Sequence, residues 1–266
     1  MNVFTNEAYY LDQFKRAQRL QRIGMGLLAV AILVNCPVLF GAALPWWAIL
    51  VAYPFLISGW PVFTIGSGRL RRLKNNPRPD GLLNTELKGL NNKYSLHHFV
   101  VRDGKVIKHL LLGPAGCVVM ESRDTPGPVN CVSGPNGDRW TAGTGIVSRI
   151  YGPRGLGNPS ADLDQAVAET RAILAQLGKK DVPVNGLIVF TQQKDMEITS
   201  CSYPVVPLDE TREAVRSLVA EQYSQVEEAG GAPVSLTTED RRRINALIAP
   251  PQPAAQPKAA SVQKKA

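Results

Sequence analysis

From Ile23 to Gly68 the chain contains no Lys, Arg, Asp, Glu or His. An uninterrupted apolar run of this length is incompatible with a simple soluble domain. As a helix rising ~1.5 Å per residue, Ile23–Leu44 is roughly 33 Å long and covers a hydrocarbon layer of ~30 Å. Trp46–Ile65 supplies a second span, with Leu44-Pro45 as the turn and Trp46 and Trp47 at headgroup level beside it. Pro54 and Pro61 predict a bent second helix, with Ser58 placed to absorb freed backbone groups. Asn35, in mid-span, is either a tolerated amide or a hydrogen-bonding group across the helix pair. A cleavable signal peptide fits poorly, since the apolar run begins late and continues into a second span.

Charge sorts the rest of the chain. The formal net charge of +8 divides into +2 over Met1–Arg22, +5 over Arg69–Arg78, +3 in the tail and −2 over Pro79–Pro250. The basic character therefore belongs to the flanks, which argues against reading the whole chain as a basic nucleic-acid binder. Basic residues flank both outer ends of the hairpin and none lies in its turn. The positive-inside rule then places both termini in the cytoplasm of a two-span, multi-pass cell-membrane protein, with the lipid bilayer as its first partner. The expected organisation is 1–22 cytoplasmic, 23–65 transmembrane hairpin, 66–79 basic linker, 80–249 folded domain and 250–266 a disordered Pro/Ala/Lys tail.

Cys36, Cys117, Cys131 and Cys201 are widely spaced with no C-x-x-C pair. This spacing predicts neither a zinc knuckle nor a disulfide framework, and four reduced thiols suit a cytoplasmic domain. His97 and His98 are adjacent on an expected strand and so point to opposite faces, where one metal cannot hold both. His109 reads as structural.

In the soluble part, Leu83, Leu87 and Leu90 stand at helical spacing within Asp80–Lys93. Tyr94–Val101 and Val106–Leu112 read as strands around an Asp103-Gly104 turn, Cys117–Arg123 as a third after Gly113-Pro114-Ala115-Gly116, and Gly127–Val132 as a short fourth. Tyr151–Pro159 is a loop whose Gly152–Gly157 stretch echoes a phosphate-binding loop, although no strand leads into it. Ala161–Leu177 is a helix ended by Gly178, and Asn185–Thr191 is a continuous apolar strand of the buried parallel kind. Helices at Asp209–Ala229 and Thr237–Ile248, the latter capped by Thr237 or Thr238, complete an α/β sandwich.

The hairpin Val106–Arg123 carries the chemistry. With Gly113 and Gly116 ending its turn, Lys108 lies opposite Glu121, and Arg123 shares their face two residues on. Two cations and one carboxylate thus converge within ~5 to 7 Å.

This block, VIKHLLLGPAGCVVMESR, resembles the centre of the nuclease-related domain (NERD), a branch of the PD-(D/E)xK nuclease-like fold. That family's pattern is an apolar residue, Asp, His, an apolar run, Gly-Pro-x-Gly, a second apolar run, then an acid, one residue and Lys. The resemblance extends through Gly81–Glu86, Trp140, Asn158-Pro159 with Gln165, and Gly186–Phe190. It implies a restriction-endonuclease-like mixed sheet flanked by helices, preceded here by the transmembrane hairpin. In such nucleases paired Asp and Glu hold a divalent cation while the Lys orients or stabilises the attacking water. By that resemblance Glu86 is the helix acid, Glu121 the second metal ligand, Arg123 stands for the Lys and Gln165 for a helix Gln. Lys108 occupies the Asp position.

A fixed ammonium there closes the pair with Glu121 without a metal, and guanidinium cannot serve as a neutral base. The expectation is a membrane-anchored, catalytically degenerate domain needing no cofactor, a binding or scaffold module for a nucleic acid or protein at the cytoplasmic face. The alternative is an active Mg²⁺- or Mn²⁺-dependent DNA nuclease that keeps Glu121 as ligand and recruits Asp103, Asp124 or Glu86. A third class, a membrane protein of transport or envelope assembly, finds no ion path, because the hairpin carries no charge.

Overall fold

Asn2–Thr5 (β1), ahead of the apolar run, pairs parallel with Ser95–Arg102 (β2), Asn2 against Ser95 through Thr5 against His98. The N-terminal segment is therefore the edge strand of the sheet, where the sequence showed only a charged leader to the first span. The computed structural model describes residues 1–39, 41, 46–74, 78–125, 128–142, 156–192, 196–228 and 236–248. The Leu44-Pro45 turn, the start of the Gly152–Gly157 stretch and the tail from Pro250 lie outside the described residues.

Asn6 accepts a hydrogen bond from the Tyr9 backbone N–H at 3.1 Å, capping Glu7–Leu39 (α1). Trp46–Lys74 (α2) follows antiparallel to it and runs on past Ile65, so the first basic residues after the span are helical. Each helix is long and apolar enough to cross a membrane, and only 11% and 17% of their apolar windows are buried within the protein. Ser58 donates to the Pro54 carbonyl at 2.6 Å, and Thr64 to those of Trp60 and Pro61. Asn35 bonds back to the Ala31 carbonyl of its own helix at 2.7 Å and does not bridge the pair. The helices cross on glycines: a Cβ on Gly24 would stand 2.3 Å from the Phe63 nitrogen, and one on Gly66 2.4 Å from that of Gln21.

Pro79–Leu87 (α3) opens with Pro at its first position and buries Leu83 and Leu87. It stops six residues short of the expected Lys93, since Gly89 and the Asn91-Asn92 pair favour the turns that follow. β2 then runs antiparallel to Lys105–Leu112 (β3) around Asp103 and Gly104, both at positive φ as a two-residue hairpin demands. Gly113 and Gly116 close the next turn with a 2.8 Å bond, leading to Cys117–Arg123 (β4). The β3–β4 register runs from Leu112 against Cys117 to His109 against Met120, as the sequence predicted.

Val129–Gly134 (β5) and Gly137–Ala142 (β6) leave the main sheet. The strand expected from Gly127 is thus real over Val129–Gly134 but belongs to a separate sheet, in which it lies between β6 and a later strand, Met196–Ser200 (β8). Pro159–Gln176 (α4), capped by the Asn158 side chain at 3.1 Å, crosses over to Val184–Phe190 (β7), which lies parallel beside β4. Met196–Ser200 (β8) joins β5, and Val205–Pro207 (β9) ends the main sheet, whose order is β1-β2-β3-β4-β7-β9. Thr211–Glu228 (α5) and Thr238–Ile248 (α6) follow. Thr237 and Asp240 cap α6 reciprocally, each accepting from the other's backbone N–H.

The sheet divides two cores. Leu110, Leu112, Val119 and Ile188 pack on one face with Leu163, Ile173 and Leu174 of α4 and Ile244 of α6. Leu111, Val118, Met120 and Val189 pack on the other with Leu83 and Leu87 of α3 and Val215 of α5. β4, its apolar residues buried on both faces, places the residues at its C-terminal end beside the base of α1 and α2.

Candidate functional site

β4 passes from buried apolar residues to charged ones at Glu121, and the period of two sends Glu121 and Arg123 to the α4 face. There Lys108 donates to Glu121 Oε1, and Arg123 Nη1 lies 2.8 Å from the same oxygen. Arg123 Nη2 continues to Asp162 in the first turn of α4. Lys108 also reaches the Ser122 carbonyl at 3.4 Å. The Glu121 side chain is 5% exposed, that of Arg123 16% and that of Lys108 33%. Burial draws the Lys108 ammonium below its usual range, and the Glu121 charge opposes that shift.

The opposite face of the same strands carries an uncharged chain. Asn84 Oδ1 lies 2.8 Å from His98 Nε2, His98 Nδ1 lies 2.6 Å from His109 Nδ1, and His109 Nε2 lies 2.8 Å from Ser122 Oγ. The amide oxygen can only accept, so His98 carries its proton on Nε2 and accepts from His109 Nδ1–H, and His109 Nε2 accepts the Ser122 hydroxyl proton. Burial lowers His98 to about 4 and His109 well below the ordinary imidazole value, so both rings are neutral.

Lys108, His109, Ser122 and Arg123 line a cleft of 440 Å³ whose other wall comes from Tyr10 of α1 and Arg72 and Leu73 of α2. Arg78 and Asp80, at the start of α3, close it from the side. Arg78 reaches Asp80 at 3.3 Å and Glu7 at 3.5 Å and lies 4.5 Å over the Tyr10 ring. Phe99 also faces the cleft from a backbone at φ 59°, in the left-handed region that a bulky residue rarely adopts. The β2–β3 pairing skips it, from His98–His109 to Val100–Ile107. The ring gains a partner, stacking on Tyr9 at 5.6 Å.

Of the residues singled out in the sequence, Lys108, Glu121 and Arg123 come together as the strand register required. Glu86 does not join them. It lies against Arg212 of α5, 3.6 Å away, in a second, smaller cleft. Gln165 is exposed on α4 and lines neither cleft, while Asp162, one turn earlier, pairs with Arg123. Asp124 lines the cleft and faces Arg72 at 3.9 Å, and Asp103 sits in the β2–β3 turn with its side chain 84% exposed. Sequence reading missed Asp80, Asp162 and the His98–His109–Ser122 chain. Asp80 opens the helix that was foreseen, and Asp162 is three residues from Gln165, so helical spacing alone marked both.

The fit to a nuclease-type divalent cation is poor. One oxygen of Glu121 already serves two cations, and an ammonium repels a dication by about 8 kcal/mol at ~4 Å and an effective dielectric of ~20. Across from Glu121, where a second carboxylate would have to share the ion, stands Lys108.

The cysteines correct the sequence expectation. Cys131 of β5 and Cys201, just past β8, form a disulfide with Cα atoms 6.2 Å apart. The parallel β5–β8 pairing removes their separation of 70 residues, which spacing alone could not reveal. Cys36 and Cys117 are free, and burial raises Cys117 to about 12.

Residues 81–191 match the family model described as the nuclease-related domain. No curated protein and no solved structure matches the chain.

Proposed function

We propose that this chain, whose residues 81–191 match the nuclease-related domain, is a membrane-anchored, catalytically degenerate member of that family working as a binding or scaffold module at the cytoplasmic face. The single observation that carries this reading is the Lys108 ammonium seated on Glu121, with Arg123 on the same carboxylate oxygen. With Asp162 on the other side of Arg123, two cations and two carboxylates neutralise one another where a metal nuclease needs uncompensated carboxylates. Two helices of spanning length support the anchor, and the basic residues at both outer ends of the hairpin support cytoplasmic termini. The proposed division of the chain keeps 23–65 as hairpin and 80–249 as the cytoplasmic domain, with β1 contributed from the N-terminal segment.

The cleft lies roughly 7 to 8 Å beyond the end of the uncharged run, counting ~1.5 Å per residue from Gly68 to Leu73 of α2.

The test is metal titration of the full chain in detergent micelles, together with DNA nicking measured with and without chelator. The reading expects no saturable Mg²⁺ or Mn²⁺ binding dependent on Glu121 and no chelator-sensitive nicking. Micromolar Mn²⁺ binding abolished by Glu121→Ala would reject it. That result would favour the second reading, a metal-dependent nuclease with a relocated ligand, for which Asp80 and Asp124 in the same cleft are the available carboxylates.

A further inference from the structure

The small sheet contributes one donor from each of its strands to a single point. Cys131 lies on β5, Asp138 on β6 and Cys201 immediately after β8, and one ligand atom from each lies within 4.8 Å of the others. The placement follows from register. Cys131 pairs with Trp140 and Ser133 with Asp138, so all four share a face. The β5–β8 pairing slips between Cys131 and Val132, which sets Val132 against Ser200 and draws Cys201 alongside. Cys131 is fully buried, Asp138 is 8% exposed and Cys201 is partly open, so the point is enclosed with one accessible side.

We propose that in the reduced protein Cys131, Cys201 and Asp138 form a zinc site, and that the Cys131–Cys201 disulfide is its metal-free, oxidised state. Two thiolates and a carboxylate are a borderline-soft donor set that suits Zn²⁺ over Mg²⁺ or Ca²⁺, with Zn–S of ~2.3 Å and Zn–O of ~2.0 Å. A Cα separation of 6.2 Å lets two cysteines meet either each other or a shared ion. Interconversion balances simply. A dithiol reductant supplies two electrons and two protons, the Sγ–Sγ bond breaks, and the reductant becomes a disulfide. Zn²⁺ then displaces both thiol protons to solvent. Water completes a tetrahedral shell.

The second shell is already built. Ser133 and Ser202 hydroxyls donate to Asp138 Oδ1, and the Ser160 hydroxyl and the Ser202 backbone N–H donate to Oδ2. Three of these four donors are hydroxyl rotors, so one can turn away to free a lone pair while the rest hold the carboxylate in place.

The experiment uses the full chain in detergent micelles, reduced anaerobically with a phosphine and stripped of metal, then titrated with Zn²⁺ against a chromogenic chelator. Co²⁺ serves as a parallel probe of thiolate ligation. The expected result is one Zn²⁺ per reduced chain, none per oxidised chain, two protons released at neutral pH and a thiolate-to-Co²⁺ charge-transfer band. Cys201→Ser weakens binding at least a hundredfold and Asp138→Asn about ten- to a hundredfold, whereas Cys117→Ser leaves it unchanged. Where Asp138→Asn fails to fold, the double variant Cys131→Ser, Cys201→Ser, which leaves the serine network in place, reports instead. A folded, fully reduced protein that takes up no zinc overturns the proposal. So does undiminished binding in Cys201→Ser or in folded Asp138→Asn.

Discussion

Lys108 decides the chemistry of the cleft, and its effect can be reversed. Replacing it with Asp sets two carboxylates facing each other beside Arg123, and on the proposed reading Lys108→Asp gains Mn²⁺ binding over the parent, measurable by calorimetry or by manganese relaxation. Removing the acid acts in the other direction. Glu121→Gln leaves Lys108 and Arg123 facing each other with Asp162, on the far side of Arg123, as their remaining carboxylate, and a cost of about 3 kcal/mol in folding stability follows from breaking a largely buried pair. Denaturant unfolding compared with the parent checks it. The three histidines set a second behaviour. His97 and His98 are lowered to about 4 and His109 well below the ordinary imidazole value, all chiefly by burial, and each ring is already committed to a neutral partner. Below pH ~6.5 the unfolded chain binds protons that the folded chain refuses, so stability falls with falling pH until ~4. The slope approaches about 1.4 kcal/mol per pH unit for each histidine. His97→Gln, which keeps a side chain able to bond Asn245, should flatten that slope between pH 6 and 5 by about a third. The register made Lys108, Glu121 and Arg123 readable from the sequence alone. The histidine chain was not readable, because it needs Asn84 from a helix and Ser122 from a different strand.

At the level of elements, the crossing of α1 and α2 depends on positions with no side chain. Gly66→Val would force a Cβ to within 2.4 Å of the Gln21 backbone, whereas Gly26 has nothing within 4 Å of its would-be Cβ. Gly66→Val should therefore lower the melting temperature in detergent and raise protease sensitivity, while Gly26→Val leaves both near the parent values. Helices and central strands were legible because their periodicity is local: Ala161–Leu177 against the observed Pro159–Gln176, and Asn185–Thr191 against Val184–Phe190. The short strands β1, β6, β8 and β9 were not, since three to six residues carry too little pattern and gain their stability from partners distant in sequence. The helix through Leu90 failed for a related reason. Its leucine spacing persists, but Gly89 and two asparagines stop the backbone.

Across the whole molecule, the N-terminal helix pair and the α/β domain share a seam. Tyr10 donates to the Leu73 carbonyl, Arg78 bridges Glu7, Asp80 and the Tyr10 ring, and β1 continues the sheet from in front of the first helix. The cleft is thus walled on one side by residues that a fragment beginning at Asp80 would lack. Deleting residues 2–5 removes the β1 edge and should cost about 1–2 kcal/mol, read as a lower unfolding midpoint of the full chain in micelles. Cysteine-accessibility labelling of single cysteines placed at each terminus tests the proposed topology. Both should be protected from a membrane-impermeant reagent in intact cells, and labelling of either end from outside would refute it.

The sequence by itself determined the apolar hairpin, the α/β character of the domain and the alignment of Lys108 with Glu121. These follow from uninterrupted hydropathy, from local periodicity and from the two-residue repeat of a strand around a glycine-bounded turn. Only the tertiary structure decided that residues 2–5 complete the sheet, that Glu86 lies apart from the cleft while Asp80 and Asp162 face it, and that Cys131 meets Cys201. Each of these joins residues far apart in the chain through strand order and register, which long-range burial and backbone hydrogen bonding select and no local pattern encodes.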